Sequence, residues 1–353
     1  MLMVDAQQNI AFNAQQLERD FTRWAWHQRQ ADLRPELPPA TTSLLDNLLG
    51  RVAIVFGSLQ VIAESSPALR TWQRYTYRTT GDAQELARWQ LDHYRRLADD
   101  HKRIELILNI TDLDNILDSW RQDKSLDQRL HGIVILMKGA EAIAEPRQSE
   151  QWLEDGVRIV APAWQPNRYI AGYDGELTLL GYELLDVMAN FNVLLDISGL
   201  SDRPAAEAIE RYEASIIASH ANPRYFHDSP RCLSDDLILR LAERDGVIGI
   251  MVYNRYLRQD WHPSDPKRRV TISHWVDAVD YVCQLTGAVD HVGLGSNIDG
   301  GYAYSSLPDE IDTSSDLWLL RNALLKRGFT EPEVNGILGG NMLRKLRESL
   351  PDG

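Results

Sequence analysis

The chain reads as an α/β protein, a single (β/α)8 barrel of the TIM type spanning residues 1–353, and three observations predict it. The first is a strand–helix–strand unit. Leu194-Leu195-Asp196-Ile197-Ser198-Gly199-Leu200-Ser201 and Ile216-Ile217-Ala218-Ser219-His220-Ala221-Asn222 are short apolar runs that stop at polar residues. Between them, residues 202–215 have the Ala- and Glu-rich composition of a helix, with Pro204 near its start. The second is that apolar runs and helical stretches alternate along the chain, with no repeat, low-complexity tract or interior linker. The third is length: 353 residues is ordinary for one barrel. In such a barrel, chemistry sits at the C-terminal ends of the strands.

Taken in order, residues 1–12 hold the first strand, opened by Met3-Val4-Asp5, and residues 13–30 look helical. Residues 33–42, with three prolines, are a loop. Residues 51–59, with Val52, Ile54, Val55 and Phe56, are the second strand and end at Gly57-Ser58. Residues 66–100 predict a long helix or helix pair, with Tyr75, Trp89, Tyr94 and Leu97 as its buried face. Residues 104–110 are a strand and 113–120 a helix. His131-Gly132-Ile133-Val134-Ile135-Leu136-Met137 is a buried strand running into Lys138-Gly139-Ala140. Residues 157–162 are the next strand, followed by Ala163-Trp164, and residues 177–190 a helix. Residues 247–253 are a strand, 272–285 a helix and 291–294 the last barrel strand. Residues 317–327 and 331–346, the latter broken at Gly339-Gly340, are closing helices within about 315–349.

Composition narrows the function classes. A hydrophobic fraction of 44% and a mean hydropathy of -0.35 describe a soluble globular chain with ample core. Lys+Arg 37 against Asp+Glu 51 gives a net charge of -14, which argues against nucleic acid or an anionic membrane as partner. The cysteines, Cys232 and Cys283, make no close-spaced metal pair. Cys283 sits in an apolar segment and reads as a buried thiol, whereas Cys232, beside Arg231, carries a minor expectation of reactivity. The N-terminus shows no basic region followed by an apolar core, no run reaches the length of a membrane span, and residues 348–353 form no hydrophobic tail. A cytoplasmic protein is the expectation.

Several stretches together resemble the membrane (renal) dipeptidase family. They are Asp196-Ile197-Ser198-Gly199-Leu200-Ser201, Ala218-Ser219-His220-Ala221-Asn222, Ser229-Pro230-Arg231-Cys232-Leu233-Ser234-Asp235-Asp236 and Asp245-Gly246-Val247-Ile248-Gly249-Ile250. The likeness continues through residues 290–300 and ends with Gly339-Gly340-Asn341-Met342-Leu343-Arg344, covering most of the chain in the family's order. The resemblance implies a binuclear metal site: a His and an Asp on the first strand, a bridging Glu, two later His, and a second Asp that handles protons. Those positions are occupied here by Gln7, Asn9, Lys138, Gly199, His220 and Asn297, so His220 alone is retained.

Amides are poor zinc ligands at a site without thiolates or carboxylates, Gly199 has no side chain, and Lys138 puts a cation where the bridging anion belongs. Asn297 cannot serve as a general acid or base. The expectation is a dismantled metal site with no cofactor. Lys138 then fills the metal void, paired with Asp196 or Asp299, in preference to acting as a lysine of depressed pKa. The resemblance assigns Arg231 to the substrate carboxylate and Tyr253 to the scissile carbonyl, while Trp164 replaces a substrate-binding His. A structural salt bridge from Arg231 to Asp235 or Asp236 is an equal alternative. His220 without companion ligands reads as a hydrogen-bonded core histidine, and His291 as structural.

The leading reading is a non-metallo homologue with a pocket for a small carboxylate, an amino acid or dipeptide, lined by Arg231, Tyr253, His220, Lys138 and Trp164. The alternative is an active metal-dependent dipeptidase or amidohydrolase with a remodelled zinc site drawn from His220, Asp196, Asp299 and Asp5. Further readings are a metal-free enzyme using Lys138 as base or Schiff-base nucleophile, and a structural subunit of an active paralogue; the family also suggests a homodimer.

Overall fold

Parallel strand pairing organises the computed structural model, which describes every residue except 33, 35, 36, 122, 173 and 174. The strands are β1 (Met3–Gln8), β2 (Val52–Leu59), β3 (Ile104–Leu106), β4 (His131–Lys138), β5 (Val157–Ala161), β6 (Leu194–Asp196), β7 (Ile216–Ala221), β8 (Val247–Ile250) and β9 (Val292–Leu294). They pair in the order β1-β2-β4-β5-β6-β7-β8-β9, with β3 beside β4. β2 occupies one edge of β4 from Gly132 to Met137, so β3 and β5 share the other. β3 pairs with residues 131–133 and β5 with residues 135–138. The ring nearly closes where Asn297 N donates to Gln7 O at 3.2 Å, drawing the end of β9 to β1. Every residue of β1, β2 and β4 is buried, as expected for strands covered on both faces. One apolar cluster fills the inside of the ring and the layer between strands and helices.

Several predicted elements change in extent, among them the strand of residues 104–110, which ends at Leu106. The helix of residues 66–100 begins only at Thr80 and runs Thr80–Asp100. Thr79 and Asp82 cap it reciprocally, with Asp82 N on Thr79 Oγ1 at 3.2 Å and Thr79 N on Asp82 Oδ2 at 2.9 Å. Upstream, the Gln16 amide competes for the backbone: it accepts from Arg74 N (2.8 Å) and Tyr75 N (3.1 Å) and donates to Tyr75 O (2.7 Å). Residues 60–79 therefore cross the barrel mouth without helix. Of the predicted buried face only Tyr94 and Leu97 are buried; Tyr75 is 51% and Trp89 40% exposed. Trp89 instead stacks on His93, centroids 5.4 Å apart, at the surface.

The helix of residues 13–30 splits into Ile10–Leu17 and Ala25–Ala31. Glu18 adopts φ +58 and ends the first piece, and Asp20 takes the Thr22 N–H at 2.9 Å. The proline loop of residues 33–42 lies partly outside the described residues. The strand of residues 247–253 stops at Ile250, because Val252 N turns to Ser296 O (3.2 Å) and leaves the ladder. At the C-terminus Leu319–Arg327, Glu331–Asn335 and Asn341–Ser349 are helices, and a π-turn over Gly336–Gly340 takes the place of the expected break. Asn341 Nδ2 pins this closure to β9 through Val289 O (2.7 Å) and Val292 O (2.8 Å). Among the described residues, no helix is long and apolar enough to cross a membrane.

Candidate functional site at the barrel mouth

A cavity of about 470 Å³ opens at the C-terminal ends of the strands. Lys138, Trp164, His220, Arg231, Tyr253, Asn9 and Asn297 all line it, so seven of the sequence-selected residues converge. Gln7 is fully buried beneath it, and Gly199 lines a smaller neighbouring pocket behind Trp164. The sequence reading missed Arg70 and Trp72, on the crossing segment after β2, and Tyr302, on the loop after β9. Each sits in a loop that follows a barrel strand, where barrel sites are built, but which loop residues face the cavity depends on how those loops fold.

One side of the mouth is closed by amides. Gln7 Nε2 donates to Asn9 Oδ1 (3.0 Å), which also accepts from Ser58 Oγ (3.0 Å). Asn9 Nδ2 donates to Asn297 Oδ1 (2.9 Å) and to Asp299 Oδ1 (3.2 Å). Asp299 further accepts from Asn9 N (2.8 Å) and Asn13 Nδ2 (3.2 Å). Asn297 holds φ +46, a left-handed turn that asparagine tolerates, and its carbonyl accepts from the Tyr302 hydroxyl. Burial raises the Asp299 carboxyl above its usual range.

The opposite side is open. Lys138 ends β4 with 5% exposure, and among the described residues its ammonium makes no hydrogen bond and no ion pair. The expected pairing with Asp196 or Asp299 does not form, because other donors already occupy both carboxylates. Asp196 accepts from Ser198 N (3.0 Å), Ser198 Oγ (2.5 Å), Ser219 N (2.9 Å) and Ser219 Oγ (2.6 Å). Burial, reinforced by the Arg231 charge, pushes the Lys138 ammonium down to about 7.

These serines settle the state of His220. Ser219 Oγ has a single proton, donated to Asp196, so at 2.7 Å it must accept from His220 Nδ1–H. Nε2 is thereby left as a bare lone pair, and it has no partner among the described residues. Burial and the nearby Lys138 and Arg231 hold the imidazole well below its usual pKa, hence neutral. His220 is therefore not a fully satisfied core histidine: half of it is anchored and half faces the cavity.

Arg231 forms no salt bridge to Asp235 or Asp236. Asp236 binds Arg240 (2.7 Å), Asp235 accepts from the Tyr281 hydroxyl (2.8 Å), and Arg231 Nη1 donates to Trp164 O at 2.6 Å. Its remaining guanidinium donors have no protein acceptor among the described residues. Tyr253 stacks on Tyr302, centroids 4.1 Å apart, and builds an aromatic wall. Cys232 is buried, with its thiol pushed up to about 12, which removes the expectation of reactivity; Cys283 is half-buried and likewise raised to about 12. His291 Nδ1 lies 3.0 Å from Gly246 O, tying β9 to the turn before β8. The Glu141 carboxyl, three residues beyond Lys138, is buried, and neither oxygen has a partner at hydrogen-bond geometry among the described residues. Burial pushes Glu141 up to about 8.

The donor set does not fit a pair of dications. No three His, Cys, Asp or Glu side chains converge as a metal site among the described residues. A Cβ on Gly199 would strike the Ala163 carbonyl oxygen and approach Trp164 Cα to 2.6 Å, so a histidine there has no room. The carboxylates of the alternative set are engaged: Asp5 accepts from Ser296 N (2.7 Å), Ser296 Oγ (2.5 Å) and Gln8 Nε2 (2.9 Å), and burial raises it to about 6.

Comparison with known proteins places this geometry in a family. The sequence profile described as Membrane dipeptidase (Peptidase family M19) matches residues 17–350. An uncharacterized protein from the pqqA 5' region of Klebsiella pneumoniae is 27% identical over 257 residues, 69% of this chain and 89% of its own. Dipeptidase tcpJ of Claviceps purpurea is 26% identical over 272 residues, 72% of this chain and 61% of its own, so the match spans less than two-thirds of that relative. Among solved structures, a metallopeptidase from Rhodobacter sphaeroides, liganded with a phosphinate mimic of the dipeptide L-Ala-D-Ala, aligns over 99% of both chains. Its TM-score is 0.80 at 18% identity, a likeness of fold. With a match over nearly its whole length, the chain belongs to the membrane dipeptidase family.

Proposed function

We propose that this chain is a dipeptidase-family barrel that has given up the binuclear zinc site, and with it zinc-dependent peptidase activity. In this reading it uses the mouth to bind a small carboxylate-bearing molecule, an amino acid or dipeptide. The observation that carries the reading is the Lys138 ammonium, buried at the bridging-ligand position and in no ion pair among the described residues, since the nearby Asp196 and Asp299 carboxylates are engaged by other donors. A buried cation is costly unless it is paired, and a ligand carboxylate is the missing partner.

The surroundings suit such a ligand. Lys138, Arg231 and Arg70 make the cavity cationic inside a chain of net charge -14, which concentrates anions at the mouth. The free Arg231 donors grip the carboxylate, the His220 Nε2 lone pair accepts from an ammonium or hydroxyl, and the Tyr253–Tyr302 pair packs the apolar side chain. The dipeptide mimic in the Rhodobacter sphaeroides relative supports a ligand of that size.

Calorimetric titration of chelator-treated protein with alanine and Ala-Ala tests this. Binding is expected without metal, and Arg231→Ala weakens it at least about tenfold, the loss of one charge-assisted contact. Affinity unchanged in that variant, or no binding of either ligand, overturns the carboxylate pocket.

A further inference from the structure

The mouth holds an amine, a guanidinium and a proton acceptor around one cavity. Lys138 Nζ is free of protein partners among the described residues, Arg231 keeps open donors, and His220 Nε2 is a bare lone pair fixed by the Ser219–Asp196 relay. We propose that Lys138 is a carbonyl-reactive amine that condenses with a small 2-oxo acid whose carboxylate is held by Arg231. This rests on the carboxylate pocket proposed above and names a substrate class for it.

The geometry favours a 2-oxo acid over a plain carboxylate. In a 2-oxo acid the carbonyl carbon is bonded directly to the carboxylate carbon. Anchoring the carboxylate on Arg231 therefore presents the carbonyl within the same small cavity that Lys138 faces. A lysine whose task was only to attract anions would gain from staying fully charged. This one is buried to 5% exposure beside a second cation, which shifts it towards the free amine at neutral pH. Nucleophilicity requires that free amine. The Tyr253–Tyr302 wall and Trp72 select an apolar or aromatic side chain on the oxo acid.

The step balances without a redox partner. The Nζ lone pair attacks the carbonyl carbon, an N–C bond forms, and the C=O π pair moves to oxygen. The two N–H protons pass in turn through His220 Nε2 to that oxygen, which departs as water and leaves a neutral C=N bond. The Asp196–Ser219 relay acts on His220 alone, holding its Nδ1–H so that Nε2 is always the accepting nitrogen.

The full chain is incubated with pyruvate or phenylpyruvate and reduced with borohydride, then read by intact mass and peptide mapping, with calorimetric binding of the same acids in parallel. The chain has six lysines; Lys267 and Lys345 are held in ion pairs, and the exposed Lys102, Lys124 and Lys326 report the background labelling against which Lys138 is read. The expected result is one reduced adduct per chain at Lys138, absent in Lys138→Arg and formed at least tenfold more slowly in Arg231→Ala. Circular dichroism of both variants checks that they remain folded. Binding without an adduct overturns the amine proposal and leaves the carboxylate pocket standing. Neither binding nor adduct overturns both, and adducts confined to other lysines overturn the proposal.

Discussion

Two sides of one barrel mouth partner their polar groups in opposite ways. On the β1–β9 side, Gln7, Asn9, Asn297 and Asp299 hydrogen-bond one another and knit strand ends together, and of their side-chain atoms Gln7 Oε1 alone is left buried without a partner among the described residues. On the β4–β7 side, Lys138 and His220 line the cavity with an ammonium and a lone pair that have no hydrogen-bond partner among the described residues. Both sides satisfy their carboxylates by internal hydrogen bonding, Asp299 through Asn9 and Asn13 on the first and Asp196 through Ser198 and Ser219 on the second, but only the second leaves groups open to the cavity. The difference teaches that polar groups at the strand ends of one mouth can be spent on each other at one side and stay open at another. On the proposed reading, the amide side should carry stability and the open side binding.

The largest expected effect is on the amide side. Asn9→Ala strands the Gln7 amide and removes one donor, Asn9 Nδ2, from the Asp299 carboxylate. We expect it to lower the unfolding free energy by about 3 kcal/mol in urea titrations. The backbone N–H of residue 9 survives the change, so the full charge penalty is not incurred. Gly199→His, which restores the family's residue, should cost a similar ~3 kcal/mol, because its Cβ collides with backbone rather than with a movable side chain. Zinc should not recover that loss.

A pH series sharpens the comparison from behind the open side. Glu141 is raised to about 8 in the fold from an ordinary 4.5, so the folded state retains a proton that the unfolded state has released. Stability contributed by this group is thus full below its unfolded pKa and falls as pH rises towards about 8, at up to roughly 1.4 kcal/mol per unit. Glu141→Gln should flatten the fall between pH 5.5 and 7.5 in denaturant titrations. An unchanged slope would mean that another group is responsible. The smallest effect on stability belongs to Lys138→Met. Removing an unpaired buried cation should leave stability unchanged or raise it by about 1 kcal/mol while abolishing ligand binding. A loss of several kcal/mol would show that the lysine is a structural filler after all, and the contrast between the two sides would collapse.

Much of the fold was legible in the sequence because the barrel strands carry their own signal. The run from His131 to Met137 is apolar enough to need cover on both faces, and the Leu194 and Ile216 runs bracket an unmistakable helix. The segment before Thr80 misled because its aromatic residues suggested a helix face, whereas Gln16, distant in sequence, engages its backbone. The site residues on strand ends were legible from the family resemblance. Tyr302 and Trp72 were not, since their roles depend on how two loops fold over the mouth. The state of Lys138 was also hidden: whether Asp196 is available to it depends on Ser198 and Ser219, which a one-dimensional reading cannot place against the carboxylate.

The most direct test of the central claim is metal content per chain, measured by mass spectrometry after incubation with excess zinc or manganese and desalting. The account predicts close to zero ions per chain, because the amides on one side and the ammonium on the other offer no binuclear ligand set. One or two ions retained per chain would contradict it and restore the metal-dependent dipeptidase.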